Sequence, residues 1–561
     1  MTVVHIRLCR QKIKEMLKKK SKTLFPIIGT AVVVTGGVAA CLYWNGNFGD
    51  ATSAFGSAKV VPDEALMAVL VSTDTKSWSR LQDFGTPEAQ NFIKKGFKGF
   101  NNEMLTKSNI NYEKDVQPWL GSVMFAFLPS PTGQATQQPS VLVVVGIKNK
   151  LSAFNFANKF KAAEKGKTKE SDYKGIKISE TTENSGKTYS AVLDKHLVVS
   201  SERKPVELAI ETFKGQPSFA SKQGAGKGFS SVDLKNPIVE FYLPEYGGMV
   251  QQLLLSNPNM AALPPETMNQ LKQVKSLAMG VGVDNLGLRM KTIAKLDPSA
   301  IKAEYKPTPG KVVAQFPAET IALISGQGIS GFWKAVVEQA KTNPQTQQGI
   351  DTARQQLKTI NLDLDKDIFG WMDGEFALAA IPSNQGILAP VGFGAALVMK
   401  TSDRASAQAT LSKLDAIAQS NSLAVAQRNV QGKTVTEWQI PQQGALLGHG
   451  WLDSESVFLA IGGPIVDAIA NKPNQSLDRS ETFKAVTDSL QQPNGGYFYL
   501  DMDKAMSLVN GYLSQTPNNS MPPEATAILN SIRGIGSTAT QPDKSTSQFE
   551  ILLALKPNSA K

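Results

Sequence analysis

The sequence predicts an α+β protein in which an N-terminal transmembrane helix is followed by two homologous domains with mostly antiparallel sheets and packed helices. Three observations predict it: an uncharged apolar segment near the N-terminus, a long-period repeat in the rest of the chain, and alternating strand-like and helix-like runs within each copy. The predicted parts are a basic cytoplasmic arm (1–23), a transmembrane helix (24–44), a tether (45–58), a first α+β repeat (59–300), a linker (301–310) and a second α+β repeat (311–561).

Residues 24–44, LFPIIGTAVVVTGGVAACLYW, contain no charged side chain. As a helix rising ~1.5 Å per residue they would span about 31 Å, close to the hydrocarbon thickness of a bilayer. Residues 1–23 hold eight Lys and Arg residues against one acidic residue. By the positive-inside rule the arm stays in the cytoplasm and the body is exported. The predicted partner of residues 24–44 is therefore the lipid bilayer.

A second interpretation of this segment is a lipoprotein signal. Residues 38–41, VAAC, resemble a bacterial lipoprotein cleavage box, and Met16 offers an alternative start. Cleavage before Cys41 would leave a lipidated cysteine instead of a helix. The apolar run continues through Trp44, which favours the uncleaved helix. Both interpretations place the body outside the cytoplasm and attach it to a membrane.

The charge of the chain does not indicate nucleic-acid binding. The formal net charge is +11, of which +7 belongs to residues 1–23, so the large body carries only +4. Such a weak bulk charge does not attract a phosphate backbone. The only cysteines are Cys9 and Cys41, so no disulfide framework holds the body together.

The body repeats itself along the sequence. Residues 61–70, VPDEALMAVL, correspond to residues 316–324, FPAETIALI, and a tryptophan follows the shared proline after sixteen positions in both copies, at Trp78 and Trp333. Further matches are Asp115 and Trp119 with Asp367 and Trp371, Pro205 with Pro464, residues 241–243 with 498–500, and residues 264–266 with 522–524. The offset stays between 252 and 259 residues, which predicts a tandem duplication.

Within a copy, strands and helices alternate. Residues 65–72 form an apolar strand, and Thr86, Pro87 and Glu88 are typical of a helix start. Two further strands, 123–128 and 141–147, are separated by a polar loop. Adjacent strands joined by short turns predict an antiparallel sheet.

No motif predicts a catalytic, cofactor-binding or metal site. Residues 186–188 and 432–434 both read GKT but lack the leading glycine of a phosphate loop, so a turn before a strand explains them. Residues 201–204 fit S-x-x-K without its companion motifs. Residues 361–367, NLDLDKD, lack the glycine and glutamate of a calcium loop and read as an acidic helix start. The histidines are far apart in sequence, at His5, His196 and His449.

Two features leave alternatives open. Residues 148–177 contain nine lysines and three acidic residues, so they could face anionic lipid or an acidic partner, or form a solvated lysine-rich face. Trp119 and Trp371 precede apolar strands, which favours a role as core anchors over ligand stacking.

The arm, apolar segment and tether, together with residues 61–65 (VPDEA) and 115–121 (DVQPWLG), resemble an uncharacterised cyanobacterial family of membrane-anchored proteins classed as a domain of unknown function. The likeness covers most of residues 18–300 and, more weakly, the second copy. It implies a cyanobacterial envelope or thylakoid protein, with the body in the periplasm or thylakoid lumen, and supplies no active site. Cys41 departs from the pattern, which again favours the helix.

These observations lead to three functional hypotheses. The first is a single-pass membrane-anchored, exported protein that is not an enzyme and acts as an interaction or scaffold module for envelope or thylakoid proteins. The alternative is a module that binds a hydrophobic ligand, such as a lipid or pigment, between helices and sheet. An envelope hydrolase with an unfamiliar site ranks third.

Overall fold

The structure of the chain is a computed structural model. It describes residues 53–91, 111–129, 139–163, 167–183, 186–222, 232–255, 268, 271–299, 305–514 and 521–558. The predicted arm, the predicted transmembrane helix and most of the tether lie outside the described residues. In the part of the chain that is described, no helix is both long enough and apolar enough to cross a bilayer.

The chain divides into two compact units. Unit 1 comprises the described residues up to Arg80 together with Gln90–Gly282, and unit 2 comprises Leu81–Ala89 together with the chain from Val283 onward. The repeat and linker boundaries proposed from the sequence stay a prediction.

Unit 1 is built on an antiparallel sheet. Its strands are β1 (Met67–Val71), β2 (Leu120–Leu128), β3 (Ser140–Ile147), β4 (Lys167–Tyr173), β5 (Ile176–Glu183), β6 (Gly186–Leu193), β7 (His196–Ser200), β8 (Pro237–Leu243) and β9 (Val274–Val283). Among the described residues they lie in the order β9-β8-β1-β2-β3-β7-β6-β5-β4. The helices are α1 (Ala54–Ala58), α2 (Thr75–Ser79), α3 (Lys150–Ala163), α4 (Arg203–Phe213) and α5 (Tyr246–Leu255).

Unit 2 has a larger antiparallel sheet. Its strands are β10 (Gly287–Leu296), β11 (Ala322–Gln327), β12 (Glu375–Pro382), β13 (Phe393–Lys400), β14 (Ala424–Val430), β15 (Lys433–Ile440), β16 (Gly444–Trp451), β17 (Ser456–Ile461), β18 (Tyr497–Asp501), β19 (Ile532–Asp543) and β20 (Thr546–Leu555). They lie in the order β10-β20-β19-β18-β11-β12-β13-β17-β16-β15-β14. The strands from β19 to β14 thus follow the same order as β9 to β4 of unit 1.

The helices of unit 2 connect these strands. They are α6 (Ile329–Ala340), α7 (Pro344–Thr359), α8 (Arg404–Ser420), α9 (Gly463–Ala470), α10 (Glu481–Thr487), α11 (Met502–Ser514) and α12 (Pro523–Asn530). The predicted α+β class with antiparallel sheets is confirmed in both units.

Tight hairpins set the strand register near the edge of each sheet. Lys174 and Gly175 join β4 to β5 with φ of 54° and 76°, and Gln431 and Gly432 join β14 to β15 with φ of 48° and 82°. Two-residue loops with positive φ at both positions match the right-handed twist of the strands they connect. Glycine at the second position supplies this conformation without a steric cost.

Each unit has its own apolar core. In unit 2, Phe458 and Tyr499 are fully buried on one face of the sheet, and the ring of Phe483 on α10 lies 5.1 Å from the Tyr499 ring. In unit 1, Trp119 is buried at the start of β2, and its ring centroid lies 5.2 Å from that of Phe156 on α3. The tryptophan is therefore a core anchor, as the sequence predicted.

Shortening Phe458 to alanine should leave a cavity at the centre of the unit 2 core. We expect Phe458→Ala to lower the free energy of unfolding by about 3–5 kcal/mol. The measurement is urea unfolding, followed by hydrogen exchange at the amides of β17. Phe332→Ala is the control, because this side chain on α6 is 68% exposed and its loss should change little. Equal effects of the two substitutions would contradict the assignment of Phe458 to the core.

Candidate functional site

The sheet of unit 2 has two chemically distinct faces. Side chains alternate between faces along a strand, so the residues next to the buried Leu323 and Tyr499 point the other way, to an outer face. On strands β18, β11, β12 and β13 this outer face carries no charged side chain. Its residues are Ala322, Ile324, Gly326, Phe376, Leu378, Ala380, Pro382, Phe393, Ala395, Leu397, Met399, Phe498 and Leu500.

Part of the outer face is open. Ile324 on β11 is 51% exposed, and its register partners Leu378 on β12 and Phe498 on β18 are 47% and 37% exposed. On the same face, Phe549 of β20 is 42% exposed. We call Ile324, Leu378, Phe498 and Phe549 the apolar strip. It lies on central strands of the sheet, where side chains are normally covered.

Helices cover the outer face on both sides of the apolar strip. On one side, Ala407 and Leu411 of α8 pack on Met399 and Val457 of the sheet. At the other end, Met502 and Met506 of α11 belong to an apolar cluster with Ile532, Leu500, Ile535 and Leu553. The strip lies between these two helix-covered areas, and on the same face Phe393 of β13 and Ile461 of β17 are also open, at 37% and 44% exposure.

The side chains at the corresponding positions of unit 1 are less exposed than those of the strip. Val69 on β1 is in register with Phe125 on β2 and with Phe241 on β8, the positions that match Ile324 and its two neighbours in strand order. All three unit 1 side chains are half-buried. Within the described residues, this row is therefore open in unit 2 and not in unit 1.

A turn that ends in a buried tryptophan positions the strand beside the strip. Asp367 closes a π-helical turn (Leu364–Ile368), and its backbone oxygen accepts a hydrogen bond of 2.8 Å from the Trp371 indole. Its carboxylate accepts from Lys413 Nζ on α8 at 2.7 Å and from the Asp363 N–H at 2.8 Å. This turn connects α8 to the segment that leads into β12.

Unit 1 contains a turn of the same construction. Asp115 lies in a π-helical turn (Tyr112–Val116), and its backbone oxygen accepts from the Trp119 indole at 2.9 Å. Lys159 Nζ on α3 donates to its carboxylate at 2.5 Å, and the Asn111 N–H does so at 2.8 Å.

These contacts change the acidity of both carboxyl groups. Burial acts to raise the pKa of Asp367, but the Lys413 ammonium and the Asp363 N–H outweigh it, so the pKa lies below its ordinary value. Burial likewise acts to raise the pKa of Asp115, but Lys159 and the Asn111 N–H bring that pKa below its ordinary value. Each carboxylate is therefore held ionised in the folded state.

The calcium-like run 361–367 is fully engaged with protein donors. Asp363 Oδ1 accepts from the N–H groups of Asp365 and Lys366 at 2.9 and 3.0 Å. Asp365 accepts from Arg354 and from the Trp333 indole, and its hydrogen bond with Arg354 is the main reason that its pKa is lowered. These aspartates lie at the start of a π-helical turn (Leu364–Ile368), where they bond to backbone and side-chain donors of the protein itself. This agrees with the prediction of an acidic helix start.

The two GKT sequences both begin strands. Lys187 at the start of β6 pairs with Glu180 at 2.7 Å, and Lys433 Nζ at the start of β15 donates to the Ala470 oxygen at 2.6 Å. The S-x-x-K residues 201–204 lead into α4. Neither motif is brought close to a second chemical group that would complete a catalytic set among the described residues.

The lysine-rich region 148–177 is extensively ion-paired. The pairs are Lys150 with Asp194, Lys159 with Asp115, Lys174 with Glu211, and Lys177 with Glu170. These contacts support the interpretation as a charged surface whose partners lie within unit 1.

The structure does not bring the histidines together. His449 is buried with its Nε2 2.8 Å from Asp415 Oδ1, an oxygen that also accepts from the Trp438 indole at 2.7 Å. His196 is buried in unit 1, and His5 lies outside the described residues. In the described chain, no group of three or more His, Cys, Asp and Glu residues could hold a metal ion.

Replacing Asp367 by an uncharged residue tests whether its ion pair with Lys413 stabilises the fold. Because the folded-state pKa is below the unfolded value of about 3.9, the ion pair stabilises the fold above that pH and its contribution disappears as pH falls through the folded pKa. We expect Asp367→Asn to lower the free energy of unfolding by about 1 kcal/mol at pH 7, with a difference that shrinks toward pH 2–3.

The measurement is urea unfolding as a function of pH. Asp503→Asn is the control, because the Asp503 side chain is largely exposed in its pair with Lys556, and we expect no measurable change. A pH-independent loss in the Asp367 variant would contradict a role for its charge.

Comparisons with other proteins give a family without an assigned activity. No match is found among the curated proteins. Three solved structures, crystal forms III, IV and I of TP0453, share 12% identity with this chain at a TM-score of 0.25. They cover 44%, 43% and 44% of it and 81%, 81% and 80% of their own chains, and so low a TM-score supports no inference about this protein. The match that identifies the family runs over residues 27–555, and the chain belongs to the family described as protein of unknown function DUF3352.

Proposed function

We propose that the chain is a membrane-tethered, non-enzymatic binding module that acts as an interaction or scaffold protein, and that the apolar strip is its binding surface. The observation that carries the proposal is the exposure of four large apolar side chains on central strands of the unit 2 sheet. Single exposed apolar residues are common on protein surfaces, whereas a contiguous patch indicates a contact site.

The area of exposed apolar surface in the strip supports a role in binding. At the exposures observed, the four side chains leave on the order of 400 Å² of apolar surface open to solvent. Covering it would contribute about 10 kcal/mol before the entropic costs of association, at ~25 cal/mol per Å². The largest exposed apolar patches of monomeric proteins have a similar area, and they are often functional sites.

A second candidate function is the binding of a hydrophobic ligand. The chemistry of the outer face favours this function, because strands β18, β11, β12 and β13 carry no charged side chain on that face. Helices also flank the strip on both sides. Apolar sites between helices and a sheet are typical of small-ligand binding.

We also propose that the body arose by tandem duplication. The shared strand order of the two units supports this, as do the matched turns of Asp115 and Asp367. In both turns a buried tryptophan donates to the backbone oxygen of the aspartate, and a lysine from the helix after the next two strands pairs with the carboxylate.

The proposed location is a membrane, with the N-terminus in the cytoplasm and the body in the periplasm or thylakoid lumen. The support comes from the sequence: eight basic residues precede an uncharged segment of bilayer length. Lipidation at Cys41 would give the same sidedness. A cyanobacterial envelope or thylakoid setting rests on the resemblance described above.

Sidedness can be measured directly. Protease added to sealed vesicles with the periplasmic or lumenal side outward should degrade the body and leave a protected fragment that contains residues 1–44. Vesicles of the opposite orientation are the control and should protect the body until detergent is added. Degradation from the cytoplasmic side alone would contradict the proposed topology.

The binding surface can be tested with a photoreactive benzophenone amino acid in place of Leu378 in the full chain, in native membranes. We expect illumination to give a discrete adduct, because a bound partner would lie within contact of the strip. The matched control places the same group at Leu151 in unit 1, which is 64% exposed but outside the strip, and should give none. Equal yields from the two positions would contradict the proposal.

A further inference from the structure

Strand β14 ends the unit 2 sheet with one side of its backbone open. It pairs with β15 through a two-residue hairpin loop, and Val430 and Lys433 flank that loop. Such a flanking pair exchanges both backbone hydrogen bonds, and hydrogen-bonded pairs alternate along an antiparallel ladder. The N–H and C=O groups of Val425, Gln427 and Asn429 therefore point away from β15. In the part of the chain that the structure describes, no strand pairs with β14 on that side.

These open backbone groups indicate the chemistry of a partner. A row of alternating donors and acceptors is satisfied by another extended polypeptide, which adds a strand to the sheet. A hydrocarbon has no such groups and would leave the row without hydrogen bonds. The edge also presents no unpaired charge, because Arg428, the one charged residue of β14, is bound by Glu437 at 2.7 Å and by Asp467 at 2.6 Å.

The spacing of the open groups suits a second copy of β14. If two copies run antiparallel with Gln427 opposite Gln427, Val425 of each lies opposite Asn429 of the other. Each of these positions carries outward backbone groups, so three hydrogen-bonded pairs form and none of the groups is left unmatched. Arg428 of each copy faces Ala426 of the other. Like charges directly opposite each other would be destabilising, and this arrangement has none.

The corresponding edge of unit 1 does not allow the same pairing. Strand β4 ends that sheet and joins β5 through a hairpin of the same construction, so Glu170 occupies the place that Gln427 has in β14. Two copies of β4 in this arrangement would set Glu170 opposite Glu170. Each Glu170 pairs with Lys177 of its own chain, but this pair is solvent-exposed and neutralises the charge only weakly. A charge on an edge strand is a common way to prevent such pairing.

From these observations we infer that β14 is a self-association site, through which two copies of this chain join their unit 2 sheets into one continuous sheet. The inference goes beyond the proposed function and does not depend on the apolar strip. An edge of seven residues is small beside a standard interface of about 1,600 Å², so the dimer should be weak. Attachment to a membrane would favour it by raising the local concentration of the chain.

Disulfide trapping of the full chain in native membranes tests the pairing and its register. Gln427→Cys should give a linked dimer on oxidation, because the two Cα atoms of a hydrogen-bonded pair are about 5.5 Å apart, within the reach of a disulfide. Asn429→Cys is the matched control. Its two copies would lie roughly 14 Å apart, which is too far for a disulfide. Peptide mass spectrometry identifies the linked cysteines, so the native Cys9 and Cys41 stay in place.

The register makes the trapping experiment decisive. Absence of a 427–427 disulfide, or equal yields from the two positions, would overturn the inference. A disulfide from Gln427→Cys to a different protein in place of the dimer would also overturn it.

Variants at the centre of the edge test whether the backbone row holds the dimer. Gln427→Pro removes an N–H that points away from β15, so the hairpin keeps its hydrogen bonds while the dimer loses two. We expect the dimer dissociation constant of the purified full chain in detergent, measured by sedimentation, to rise about tenfold. Gln427→Glu places like charges opposite each other and should raise it about threefold.

The control for the added charge is Gln345→Glu, at an exposed position of α7, which should leave the dissociation constant unchanged. Thermal unfolding shows whether each variant is folded. Unchanged association in folded Gln427→Pro and Gln427→Glu proteins would overturn the inference, as would an unsubstituted chain that stays monomeric at every concentration measured.

Discussion

Covering a sheet that is apolar on both faces is the constraint on which unit 2 depends. The central strands present Leu323, Phe458 and Tyr499 to one side and Ile324, Leu397 and Phe498 to the other. Each face must therefore be removed from water by other elements. Helices α9 and α10 accomplish this on the inner side, while α8 and α11 leave an interval on the outer side. The candidate site is the part of this face that the fold itself does not cover.

The aspartate turns show how the cover is held in place. Asp367 fixes Trp371 through its backbone oxygen and α8 through its carboxylate, so one residue ties the helix to the strand that follows the turn. Asp115 performs the same two tasks in unit 1 with Trp119 and α3. The edge of the strip next to α8 is consequently set by an ion pair as well as by apolar packing.

Much of the architecture could be predicted from the sequence. The α+β class, the antiparallel strands and the burial of Trp119 and Trp371 all follow from local patterns, because periodicity and turn residues report short-range structure. The open strip could not be predicted, since exposure depends on where distant helices pack. A partial signal was available in β12, whose residues 376–381, FALAAI, are apolar at every position, as expected for a strand covered on both faces. The ion pairs of Asp115 and Asp367 join residues more than forty positions apart, so spacing alone did not reveal them.

The strand order of unit 1 has a consequence for how the chain acquires its structure. Strands β4, β5, β6 and β7 each pair with their nearest neighbour in sequence, so this edge of the sheet can assemble as soon as it is synthesised. By contrast, β1 lies between β2 and β8, and its pairing of Ala68 with Tyr242 must wait for a much longer length of chain. The centre of the sheet is therefore closed by a contact of much greater sequence separation than the contacts that form its edge.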